Sequence, residues 1–265
     1  MNSHPVTSSQ TVANSTMDRF RLDGRVCVVT GAARGIGFAI AQALQQAGGI
    51  VVLADLDLPT AMASAEQLGA TAVEMDVTRP QSVDRALNTV CERHGCLDVL
   101  VNNAGVVKNT DAAQTDDVEW RTVMTVNLDG VFYCCRSAAR FMLVQRRGTI
   151  VNIASMSGSI ANRPQPQAAY NASKAAVIHL TRSLAAEWAP YGIRVNSLSP
   201  GYVATELTQR GLENDAWRSA WLDGTPLGRL AAPDEMGPGA VFLASDASSF
   251  MTGADLVMDG GYTAW

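Results

Sequence analysis

Apolar residues in this chain fall into short unbroken runs, separated by longer stretches in which they recur at helical spacing. The run from Val26 to Val29 is followed by a glycine-rich segment, after which Ile36, Ile40, Leu44 and Ala47 repeat at the period of one helix face. A second run, Ile50 to Ala54, ends in Asp55. Further runs lie at Ala72 to Met75, Leu97 to Val101, Thr149 to Ile153, Ile193 to Leu198 and Asp255 to Met258. Helical patterns separate nearly all of them, at Pro80 to Arg93, at about Asp116 to Gln145 with a break near Asn127, and at Ala168 to Trp188. Strands that are continuously apolar rather than alternating are buried on both faces, and strands alternating with helices build parallel sheets. The pattern predicts an α/β doubly wound fold with a mainly parallel sheet of about seven strands flanked by helices. Residues 1 to about 20, rich in Ser, Thr, Asn and Gln, read as a flexible tail, with a single domain over residues 21–265.

Composition narrows the function. The chain has 265 residues, 47% of them hydrophobic, which is enough for a sizeable core, and its formal charge of -5 argues against a nucleic-acid or acidic-membrane partner. The N-terminal stretch lacks the apolar core of a signal peptide, and no window is long enough to span a membrane. Cys27, Cys91, Cys96, Cys134 and Cys135 form no metal-binding pattern and are odd in number, consistent with reduced, buried thiols in a cytoplasm. His4, His94 and His179 are too scattered to suggest a metal site or a Ser-His-Asp triad.

Two segments carry candidate chemistry. Thr30-Gly31-Ala32-Ala33-Arg34-Gly35-Ile36-Gly37 lies between a strand and a helix, where glycines let the backbone approach a pyrophosphate at the helix N-terminus. The alternative is a tight turn with no ligand. Tyr170 and Lys174, four residues apart, share a helix face. A free tyrosine titrates near ~10, and bringing it to about 7 takes roughly 4 kcal/mol. A cation at ~5 Å and an effective dielectric of about 20 contributes roughly 3 kcal/mol, so the spacing predicts a phenol depressed by Lys174 into the range of a general acid/base. The same pair is also a common surface feature of helices.

The glycine spacing differs from GxGxxG and is similar to the TGxxxGxG spacing of the short-chain dehydrogenase/reductase family. The resemblance runs from residue 26 to the C-terminus and implies a Rossmann-like fold. Asp76-Val77 resembles that family's adenine-contacting segment, and Asn102-Asn103-Ala104-Gly105 its NNAG motif. Asn127, Ser155, Tyr170 and Lys174 match its catalytic tetrad, and Pro200-Gly201 the turn leading a mobile loop over the nicotinamide, with Val203 and Thr205 following. The implied cofactor residues are Gly31, Arg34, Gly35, Ile36, Gly37, Asp55, Asp76, Val77, Asn103, Ala104, Gly105, Tyr170, Lys174, Pro200, Gly201, Val203 and Thr205. In the implied roles, Ser155 donates to the substrate oxygen, Tyr170 exchanges the proton, Lys174 holds the ribose, and Asn127 fixes a relay water. Ser157 and Ser159 are rivals for the place of Ser155.

Asp55 at the end of the second strand suits the ribose hydroxyls of NAD and repels the 2′-phosphate of NADP. Arg34 either pairs with such a phosphate or lies on the adenine or in solvent. The expectation is NAD. A lid over residues 201–226 carries Trp217, Trp221 and Leu222, as substrate cover or as core and subunit contacts. Ser157, Ser159, Asn162, Arg163 and Gln165 offer hydrogen-bonding groups for a hydroxylated substrate. The Ser155 to Gln165 segment and the ending Asp259 to Trp265 resemble the polyol dehydrogenase branch, which implies NAD-dependent oxidation of a sugar alcohol or related diol. An NADPH-dependent ketone or 3-oxoacyl reductase is one alternative, and a non-catalytic nucleotide-sensing protein another. Apolar surface on several faces of the helix around Tyr170 predicts a homo-oligomer, a tetramer by the family resemblance; the alternative is a monomer in which the neighbouring helix covers that surface.

Overall fold

The structure, a computed structural model, describes residues 15–265. Seven parallel strands form one sheet: β1 (Val26–Thr30), β2 (Ile50–Asp55), β3 (Thr71–Glu74), β4 (Val99–Asn102), β5 (Gly148–Ile153), β6 (Ile193–Pro200) and β7 (Asp255–Met258). Their order is β3-β2-β1-β4-β5-β6-β7. The order reverses direction between β1 and β4, which opens a crevice at the C-terminal strand ends where such sheets bind ligands.

Alternate residues of each strand feed two cores. Val28, Val52, Leu100, Ile150 and Val195 face α3 (Pro80–His94), α5 (Gly130–Gln145) and α6 (Ala168–Trp188). Val29, Leu53, Val101, Val151 and Leu198 face α1 (Gly35–Gln46), α2 (Leu58–Leu68) and α9 (Met236–Ala244). Burial on both faces is the reason the strands read as unbroken apolar runs. The break expected near Asn127 is a π-helical turn, Thr125–Asp129, joining α4 (Asp117–Met124) to α5.

Several expectations need adjustment. The expected tail falls largely on residues 1–14, which lie outside the described residues, while Thr16–Phe20 forms a 3-10 turn capped by Ser15, with Phe20 against Phe242. All five thiols are free, but only Cys27, Cys134 and Cys135 are buried; Cys91 and Cys96 are half-buried because they lie at the end of α3 and in the turn after it. The lid consists of two helices, α7 (Glu206–Glu213) and α8 (Asp215–Gly224). No helix among the described residues is long and apolar enough to cross a membrane.

Candidate active site

The first part of the site is the turn between β1 and α1. Gly31 has φ +61°, and a Cβ there would come within 2.8 Å of the Ala104 backbone, so the two loops touch because this residue has no side chain. The side chain of Asn103 locks them together, donating to the carbonyls of Thr30 (3.1 Å) and Gly31 (2.9 Å). In return, the Thr30 hydroxyl accepts from the backbone N–H of Asn103 (3.0 Å) and of Ala104 (3.2 Å). The N-terminus of α1 has neither a side-chain cap nor an acidic residue in its first turn. Its unpaired N–H groups therefore suit a phosphate, and this is the observation on which a dinucleotide fits the turn.

Asp55 closes the other side. One carboxylate oxygen accepts from Ala33 N (2.9 Å), the other from Asp57 N (3.0 Å), fixing the acid against the glycine-rich loop. Arg34 is exposed, and its guanidinium lies 3.5 Å from both Asp57 and Glu206. Asp76 caps its own turn by accepting from Thr78 N (2.9 Å), and Val77 is buried beside Gly130. Val203 makes an isolated bridge with Ala231, and Thr205 precedes α7, with its methyl near Gly35. Gly201 N bonds Met258 O at 3.0 Å, carrying the chain off the end of β6.

The second part lies on α6. Tyr170 and Lys174 occupy its first two turns, and the Lys174 ammonium sits 5.6 Å from the centre of the Tyr170 ring. Lys174 is buried and donates to Ile153 O at 2.8 Å, tying the helix to the end of β5. Ser155, two residues further on, is buried and accepts from Ser157 N (3.1 Å). Of its rivals, Ser157 is hydrogen-bonded by Gln167 (3.3 Å), while Ser159 is exposed, so Ser155 alone among the three is paired with Tyr170.

The electrostatics correct the sequence expectation for Tyr170. Burial pushes its phenol up, and the hydrogen bond with Ser155 is what pulls it down. Lys174 does not depress it here, because burial brings the lysine itself down to about 8 and its Nζ is directed to a carbonyl. Helical spacing conveys the proximity of the two groups but not their shared desolvation.

Asn127 is held by hydrogen bonds of its own. Fully buried in the π-helical turn, its amide accepts from Val106 N (2.8 Å) and donates to Val106 O (2.9 Å) and to Ser173 Oγ (3.1 Å). Ser173 Oγ donates in turn to Tyr170 O at 2.7 Å. The side chain thus ties the loop after β4 to the start of α6. Gly105 lies against the same group, since an added Cβ would be 3.4 Å from Asn127 Oδ1 and 3.7 Å from Lys174 Nζ.

The polar groups expected to face substrate are mostly engaged with one another. Gln165, buried, donates to Tyr202 Oη (2.9 Å) and accepts from Trp221 Nε1 (2.9 Å). Asn162 donates to the same Tyr202 oxygen at 3.1 Å and accepts from Gln167 at 3.0 Å; Gln167 also reaches Asn171 at 2.9 Å. Arg163 is exposed. Trp221 stacks on Tyr202 with 4.2 Å between ring centres and Trp217 lies beside it, so the lid is anchored by aromatics, while Leu222 is only half-buried. Burial and the ring of Tyr262 keep the Tyr202 phenol up at about 12, a neutral hydroxyl holding two amides. Sequence reasoning missed Tyr202, Gln167 and Glu206; the first directly follows Pro200-Gly201 and was the most findable.

Known proteins with these features agree in sequence and shape. The family model described as enoyl-(acyl carrier protein) reductase matches residues 31–263. The galactitol 2-dehydrogenase (L-tagatose-forming) of Cereibacter sphaeroides is 47% identical over 249 residues, covering 93% of this chain and 98% of that protein. The crystal structure of a short-chain type dehydrogenase/reductase from Mycobacterium marinum superposes with a TM-score of 0.91 at 40% identity, covering 95% of this chain and 100% of that one. That of a gluconate 5-dehydrogenase from Burkholderia cenocepacia J2315, in complex with NADP and tartrate, has a TM-score of 0.91 at 38% identity, with the same coverages of 95% and 100%.

Proposed function

The chain belongs to the short-chain dehydrogenase/reductase family, and from that premise we propose that it oxidises a secondary hydroxyl of a polyol to a ketone with NAD. It is an oxidoreductase acting on secondary alcohols with a nicotinamide dinucleotide. The observation that carries the proposal is the convergence of Ser155, Tyr170 and Lys174 at the end of β5, across the crevice from the uncapped N-terminus of α1.

In this reading, Gly31, Arg34, Gly35, Ile36 and Gly37 surround the pyrophosphate and Asp55 takes the adenine ribose. Asp76 and Val77 flank the adenine, and Asn103, Ala104 and Gly105 wall the middle of the site. Pro200, Gly201, Val203 and Thr205 border the nicotinamide, which when bound accepts hydride. Ser155 donates to the substrate oxygen and stabilises its developing charge. Tyr170 removes the hydroxyl proton. Lys174, cationic below its pKa of about 8, holds the nicotinamide ribose. Because the Asn127 amide is bonded to Val106 and Ser173, Asn127 acts by positioning the Tyr170 turn.

NAD is favoured by the carboxylate of Asp55, held against the loop, and by the two acids that share Arg34. The substrate class is supported by the relative named galactitol 2-dehydrogenase (L-tagatose-forming). A homo-tetramer is supported by the outward-facing Trp120, Phe132 and Val144 and by exposed Ala172 and Ala175 on α6. The formal charge of -5 and the five free thiols support a cytoplasmic enzyme without nucleic-acid or membrane partners. The test is a panel of polyols, simple alcohols and ketones with each cofactor, followed by nicotinamide absorbance. Turnover of polyols with NAD is expected; turnover confined to ketones with NADPH would overturn the proposal in favour of the reductase.

A further inference from the structure

Three carboxylates from separate segments surround the glycine-rich loop: Asp55 at the end of β2, Asp57 at the start of α2, and Glu206 at the first residue of α7 in the lid. Two of the three, Asp57 and Glu206, share Arg34, the residue just before α1. Asp55 does not use it, being bonded to backbone N–H groups at 2.9 and 3.0 Å. Arg34 instead divides its guanidinium, with one terminal nitrogen 3.5 Å from Asp57 and the other 3.5 Å from Glu206. Both separations exceed the roughly 2.7–2.9 Å of a tight charge-assisted bond, so neither acid grips it. The guanidinium is nonetheless neutralised from both sides.

We infer that Glu206 is a specificity-determining residue for the cofactor: by engaging Arg34 from the lid, it withholds that cation from a 2′-phosphate. The inference rests on the dinucleotide reading of the site and deepens it. A 2′-phosphate bound beside Asp55 requires a counter-charge, and taking Arg34 for that purpose leaves Glu206 unpaired next to the same phosphate. A ribose with a free 2′-hydroxyl makes no such demand. Discrimination against NADP is therefore shared between Asp55 on the sheet and Glu206 on the lid.

Glu206 is also the cleanest of the three acids to alter. Asp57 caps α2 through Thr60 N (3.2 Å) and Thr60 Oγ1 (2.7 Å), so its loss disturbs that helix. The side chain of Glu206 is 80% exposed and makes no other ion pair or side-chain hydrogen bond among the described residues.

The experiment is calorimetric titration of adenosine 2′,5′-bisphosphate and of 5′-AMP into wild type, Glu206→Gln, Arg34→Ala and the double variant, at one low salt concentration, with NADH as a reference ligand. Exposed charge pairs are weak, so Glu206→Gln should tighten the bisphosphate roughly three- to fivefold while leaving 5′-AMP within about 1.5-fold. Without Arg34, that gain should fall by at least half. Unchanged bisphosphate affinity, an equal gain for 5′-AMP, or a gain that persists in full without Arg34 would overturn the inference. Wild type that binds neither 5′-AMP nor NADH would instead overturn the dinucleotide reading beneath it.

Discussion

Replacing Gln165 tests whether the lid is held to the substrate loop by one buried amide. Gln165 links Trp221 on α8 to Tyr202 beyond β6, through hydrogen bonds of 2.9 Å each, and both Gln165 and Trp221 are nearly inaccessible. Gln165→Leu leaves the indole N–H without a partner and removes one of the two donors to Tyr202, whose other donor is Asn162. A buried polar group left unpaired costs about 1–3 kcal/mol, which puts the whole change at roughly 2–4 kcal/mol. Trp221→Phe keeps an aromatic on Tyr202 but strands the Gln165 oxygen, at about 1–3 kcal/mol. Because each variant breaks the same bond, the double variant should lose less than the sum of the two, with a coupling of about 1–2 kcal/mol. If about 1 kcal/mol of this is felt in the closed site, kcat/KM for the polyol falls roughly fivefold. The assay pairs urea unfolding of the four proteins with steady-state kinetics on polyol and cofactor. Additive stability losses, or a cofactor KM that rises as much as the polyol KM, would refute the linkage.

Other variants probe the proton and charge balance. Ser155→Ala removes the hydrogen bond that lowers the Tyr170 pKa, so the alkaline-rising limb of kcat for alcohol oxidation should move to higher pH, with kcat at neutral pH down by about 10²-fold or more; a limb that stays in place or moves to lower pH contradicts the assignment. Lys174 has its folded pKa lowered to about 8, so its protonated form opposes folding below pH 8, and the penalty is relieved as pH rises towards the unfolded value. Lys174→Met should accordingly gain stability relative to wild type at pH 7, by about 1–3 kcal/mol less the lost bond to Ile153, and lose that gain by about pH 10.5, as measured by thermal unfolding at both pH values. Asp55→Ser removes the fixed charge and two ribose bonds, so the NAD/NADP ratio of kcat/KM should fall about tenfold or more at moderate salt; an unchanged ratio would mean that Asp55 does not face the ribose.

The architecture was legible because both faces of the sheet are buried, so each strand stands out as an apolar run and each helix as a repeat. Boundaries slipped where pairing or side chains decide. β6 continues through Pro200 because Ser199 and Pro200 pair with Val257 and Met258, and β4 starts at Val99 because Leu97 N is bonded by Gln145 instead. Tyr170, Lys174, Ser155 and Asn127 were located by motif. Desolvation was not, since it depends on what packs over α6, and so the direction of the Tyr170 shift was misread. The Gln165, Tyr202 and Trp221 assembly and the Arg34 to Glu206 contact join residues far apart in sequence, for which no local periodicity exists.

The central claim is that Tyr170 is the acid/base of an alcohol dehydrogenase, and Tyr170→Phe measures it most directly. The phenyl ring keeps the packing against Lys174 while the proton-carrying oxygen is lost. NADH binding, followed by fluorescence, should stay within about twofold of wild type, while kcat for the best polyol should fall at least about 10²-fold, the lower end of what general acid/base catalysis contributes. Retention of more than about a tenth of wild-type kcat, less than ~1.4 kcal/mol on the barrier, would contradict the claim.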